Sequence, residues 1–112
     1  MNEQMQIRLR IEKIIEETKR YDFPFLATVN EKWQIIEEKK FYIEIELKQL
    51  LPKYWPNANQ IEALWNESIE YANKRFDSLP EKIRINGFYL QELMHYYAEH
   101  LGNFIMLKNW GK

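Results

Sequence analysis

The chain has 112 residues, no cysteine, 3 glycines, 4 prolines, 46% apolar and 15% aromatic residues, and a formal net charge of −1. Such a composition excludes a disulfide scaffold, a thiolate metal site and a cysteine nucleophile, and argues against intrinsic disorder. The near-neutral charge argues against a general nucleic-acid binder, which carries a basic surplus.

A first helix is expected over residues 3–20. Ile7, Ile11, Ile14, Thr18 and Tyr21 recur at alternating spacings of three and four and form one stripe. Pro24 ends it, since the residue before a proline avoids the helical region. Phe23, Phe25 and Leu26 then form an apolar connector expected to tuck against the core. A second helix is expected over 29–51. Thr28 and Glu31 make a capping-box pattern at its start, and Pro52 follows its end. Val29, Trp33, Ile36, Ile43, Leu47, Leu50 and Leu51 lie within about 100° of one another on a helical wheel. Residues 41–47 also alternate as a strand would, but the longer helical stripe outweighs that short alternation.

A third helix is expected over 58–77, entered through Pro56 and an Asn57/Gln60 cap pattern. Its stripe is Ile61, Leu64, Trp65, Ser68, Ile69, Ala72 and Phe76, and the small Ser68 and Ala72 allow a close neighbour. A short turn is expected near 80–84. The alternative of a hairpin at Asn86-Gly87 is disfavoured by the helical pattern after it. The last helix, 87–110, is apolar on nearly every side. Leu90, Leu93, Met94, Tyr97, Leu101, Phe104 and Ile105 share one face, Tyr89, Tyr96 and Leu107 a second, and Phe88, Met106 and Trp110 a third. A helix of that kind is buried on several sides, so it is read as the centre of the fold. The fold class expected is all-α: an antiparallel bundle of four main helices, with residues 1–112 as one domain. The core is expected to hold Ile11, Ile14, Trp33, Ile36, Ile43, Leu47, Leu64, Trp65, Leu93, Tyr97, Leu101 and Phe104.

Chemistry has few footholds. Glu92, His95 and Glu99 share a helical face, and Glu-x-x-His is half of a di-iron motif; the second half is missing, because His100 has no glutamate three residues before it. No metal and no cofactor are expected. Ser68 lies on an apolar stripe and Ser78 reads as a cap, so neither stands as a nucleophile. There is no Gly-rich phosphate loop, and enzymatic activity is not expected. Arg8, Arg10, Lys13, Lys19 and Arg20, with Tyr21 and Tyr71 for stacking, are the candidate nucleic-acid set. Acids interrupt those bases along the helix and weaken any phosphate-tracking field. The N-terminal MNEQMQIRLR lacks the apolar segment of a secretory signal, and no run approaches the roughly 18 residues of a membrane span, so the cytoplasm is the expected compartment.

Recognition of another protein remains. Residues 31–70 carry eight acids against five bases, an excess that attracts a basic partner. Phe41 and Ile45, spaced i,i+4, point away from the main stripe of the second helix. Glu37, Glu38, Glu44 and Lys48 surround them, and these six residues are the expected partner-binding set. In length, absence of cysteine, glutamate and aromatic content, and lack of a catalytic motif, the chain resembles small all-helical bacterial immunity proteins. These are paired with contact-dependent growth-inhibition or colicin-like toxins. The resemblance implies a non-catalytic protein that neutralises a toxin domain, such as a nuclease, by occluding its active site. No binding residue carries over, because interface positions differ among such proteins. The alternative is a small nucleic-acid-associated or regulatory helical protein, as a monomer or a homodimer. Tyr89, Tyr96 and Trp110 are the next face to consider.

Overall fold

The computed structural model describes residues 3–78 and 87–107. The turn expected at 80–84 and Trp110 lie outside them. The described residues form four helices and no strand: α1 (Glu3–Glu17), α2 (Val29–Leu50), α3 (Ala58–Arg75) and α4 (Gly87–Met106). A 3-10 turn at Thr18–Arg20 tightens the end of α1, and another at Pro52–Tyr54 leads out of α2. Both capping boxes form. The Thr28 hydroxyl accepts from the Glu31 backbone N–H, and the Glu31 carboxylate accepts from that of Thr28. Asn57 and Gln60 repeat the exchange at the start of α3.

Helix α4 packs against each of the other three. Its buried residues are Tyr89, Leu90, Leu93, Met94, Tyr97, Ala98, Leu101, Gly102 and Ile105. That pattern covers more than half the circumference, which is why the helix reads as apolar nearly all round. Cross-links set the directions. Arg10 pairs with Glu46 while Lys39 lies over Tyr21, so α1 and α2 are antiparallel. Tyr71 stacks on Tyr96, and Tyr89 bonds back to Asn73, so α3 and α4 are antiparallel too. At Gly102 an added Cβ would meet the Ile11 Cγ2 methyl at 2.8 Å, so the glycine lets α1 cross α4 at close range.

The expected core residues Ile11, Ile14, Ile36, Ile43, Leu47, Leu93, Tyr97 and Leu101 are buried. Trp33, Leu64 and Trp65 pack on the core at its edge and are only partly buried, and Phe104, in the last turns of α4, is partly exposed. The connector departs further from expectation. Phe23 is buried, but Phe25 is 97% exposed and Leu26 is 85% exposed. After Pro24 the chain turns at Phe25 and Leu26, and neither side chain of that turn joins the core that Phe23 enters.

Candidate functional site

On α2, Ile36, Ile43 and Leu47 are buried. At 100° per residue, Phe41 and Ile45 fall on the opposite side of the same helix. They are 64% and 40% exposed and lie one turn apart. Glu37, Glu38 and Lys48 are exposed around them. Five of the six expected partner-binding residues thus share one open face.

Glu44 does not join that rim. Its carboxylate accepts a short hydrogen bond from the Tyr97 hydroxyl and lies 2.9 Å from Lys40 Nζ. The Tyr97 ring meets Trp65 edge-on at 5.0 Å, and Lys40 Nζ sits 5.3 Å from the centre of the Trp65 ring. Burial raises the Tyr97 pKa most, and the bond to Glu44 and its charge raise it further. Glu44 therefore ties α2 to the central helix, and its charge is spent within the fold.

Two grooves flank the exposed ridge. On the α1 side, Glu17, Tyr21, Glu38, Lys39 and Tyr42 line a groove of about 380 Å³. On the α3 side, one of about 460 Å³ is walled by Trp55, Pro56, Ile61 and Trp65, with Lys40 and Glu62 at its margin. Sequence reasoning missed both. Tyr42 is half exposed and adjoins Ile45 on the helical wheel. Its partners Glu17 and Tyr21 come from the end of α1 and the residue after its 3-10 turn, and that proximity depends on inter-helix register, which periodicity does not carry.

The Glu92/His95/Glu99 strip lies elsewhere, with its first two residues in a cleft of about 540 Å³. Its groups do not converge. Glu92 pairs with Arg75 at 3.4 Å, and His95 Nε2 lies 3.5 Å from Glu99. His95 Nδ1 lies 3.2 Å from the Thr18 hydroxyl and 3.3 Å from the Ile15 carbonyl. Because a carbonyl only accepts, that contact favours the proton on Nδ1. Among the described residues no group of three or more His, Asp or Glu is placed to hold a metal ion. The Ser68 hydroxyl is buried and donates to the Leu64 carbonyl.

Two of the five basic residues of the candidate nucleic-acid set are drawn into ion pairs. Arg10 binds Glu46, and Lys19 binds Glu16. Tyr71 is stacked on Tyr96 at 4.2 Å. Tyr89 is buried, with its hydroxyl donating to Asn73, so among the described residues of the expected aromatic face Tyr96, half-buried, alone keeps some exposure. No helix of the described residues is long and apolar enough to cross a membrane. Comparison with protein-family models, curated protein sequences and solved structures finds no match.

Proposed function

We propose that this chain is a cytoplasmic immunity protein that binds one basic toxin domain, such as a nuclease, through the outer face of α2. It blocks access to the toxin's active site and does no chemistry itself. One observation carries the reading. Phe41 and Ile45 stand exposed side by side among Glu37, Glu38 and Lys48, on a helix whose opposite face already buries Ile36, Ile43 and Leu47, although Val29 of the expected stripe is exposed. Neither residue is needed to close the core, and an apolar pair with an acidic edge has the composition of an interface centre with a charged rim.

The roles divide by chemistry. Glu37 and Glu38 steer a basic surface toward the ridge, and opposite charge of this kind raises association rates and fixes register. Phe41 and Ile45 lose water on contact and hold the complex together. Lys48, at the far end of the ridge, discriminates against a partner that is basic along its whole length. Docking across the ridge and its two grooves accommodates the roughly 1,600 Å² of total buried surface typical of a stable pair.

The test is co-expression with the toxin encoded beside this chain's gene, read as growth protection and as recovery of a complex. Glu38→Lys should slow association by about tenfold at low salt, with the effect fading as salt rises. Phe41→Ala should chiefly speed dissociation, at about 1–3 kcal/mol. Full protection by a Glu38→Lys/Phe41→Ala/Ile45→Ala variant would overturn the proposal.

A further inference from the structure

We propose that the groove between α1 and α2 seats an arginine side chain presented by the protein that docks on α2. This rests on the reading of α2 as the docking face. Glu38 belongs to both features: it edges the exposed ridge and lines the groove with Glu17, Tyr21, Lys39 and Tyr42. A partner lying across Phe41 and Ile45 therefore passes over the mouth of the groove.

The lining of this groove carries two carboxylates, Glu17 and Glu38, against one ammonium, Lys39, which leaves one negative charge over. Glu46 is paired with Arg10, and Glu44 with Lys40. Glu17 and Glu38 make no ion pair among the described residues. The larger cleft around Phe88 is the opposite case. Its Lys19, Arg75 and His95 each already face a glutamate, which leaves little unmet demand for a charged ligand.

The aromatic wall points the same way. Lys39 Nζ lies 4.6 Å from the centre of the Tyr21 ring, so one ring face already attracts a cation of the chain itself. The Tyr42 ring, half exposed, lines the same groove. Burial first, then the charges of Tyr42, Glu17 and Glu46, push the Tyr21 hydroxyl up to about 12. Tyr42 is raised by its bond to Glu46, by the charge of Glu46 and by Glu17, against the opposing charge of Arg10. A planar guanidinium satisfies both walls at once: it lies flat on a tyrosine ring while its N–H fork reaches two carboxylates. An ammonium meets only one of these demands at a time.

Two experiments separate this inference from the reading beneath it. In the first, the intact protein is titrated with N-acetyl-arginine amide and followed by the ring resonances of its tyrosines. Saturable shifts confined to Tyr21 and Tyr42 are expected, weaker with the lysine analogue and abolished in a folded Glu17→Gln/Glu38→Gln variant. Shifts that do not saturate, or that persist in the variant, overturn the inference. In the second, affinity for the neighbouring toxin is compared among variants. Glu17→Gln, which lies off the α2 ridge, should weaken binding by about tenfold. Unchanged affinity in Glu17→Gln alongside lost affinity in Phe41→Ala overturns the groove and leaves the docking face standing. Unchanged affinity in both overturns the docking face itself.

Discussion

Tyr97 and Phe41 are both large aromatic residues, and the fold uses them in opposite ways. Tyr97 is fully buried against Trp65 and donates to Glu44, so Tyr97→Phe should cost about 1.5–3 kcal/mol, the usual range for a hydrogen bond to a charged group. Leu93→Ala, in the same core, should cost about 2–5 kcal/mol. Phe41→Ala should stay within about 0.5 kcal/mol, as expected of an exposed site. Urea unfolding of the three variants checks the contrast. The tyrosines also set an alkaline limit. Tyr21 is raised from 10.0 to about 12 in the folded chain, so its contribution is fully present below pH 10 and is lost as pH rises through about 12. Tyr97 shifts in the same direction. Thermal melts from neutral pH into that window should show stability falling as phenolate absorbance grows. Single residues were legible from sequence where periodicity constrained them: Ile11, Ile14, Ile36 and Ile43 lie in the core as the stripes require. Phe25 and Leu26 were not, because hydrophobicity alone does not say which side chains of a short connector can reach the interior.

At the scale of the element, the segment 41–47 is the most instructive. It alternates like a strand because it serves two surfaces: Ile43 and Leu47 face the core, while Phe41 and Ile45 face out. The helix prevails because Ile36, Ile43 and Leu47, spaced seven and four residues apart, fall on one face over about three turns. The boundaries of α2 and α3 were readable from their capping boxes, since both partners of each box are local in sequence. Thr28→Ala should destabilise by about 0.5–2 kcal/mol, with lost helicity at the start of α2 by amide exchange. The Thr28 backbone N–H, and then its hydroxyl, hold the Glu31 pKa below its ordinary value. The contribution of Glu31 is therefore complete above the ordinary carboxylate range and disappears as pH falls through the lowered value. The crossing of α1 over α4 was not readable, because it turns on Gly102 meeting Ile11. Gly102→Ala gains helix propensity, but its Cβ would press on a β-branched methyl that cannot swing aside. A net loss of about 1–3 kcal/mol is expected by calorimetry.

The whole molecule is three helices laid around α4, and the direction of each helix follows from the order of its cross-links. The bundle was legible because three amphipathic patterns and a nearly all-apolar one leave few ways to bury their surfaces. The grooves beside α2 were not, because they are made where residues from different helices meet. The ridge between them carries the central claim, that the outer face of α2 is where the partner binds. The most direct measurement places a photo-reactive side chain at position 41, 45 or 88 in cells that also produce the proposed toxin partner. Positions 41 and 45 should cross-link to the toxin, whereas position 88, equally exposed but remote on α4, should not. Cross-linking from position 88, with none from 41 or 45, would contradict the account.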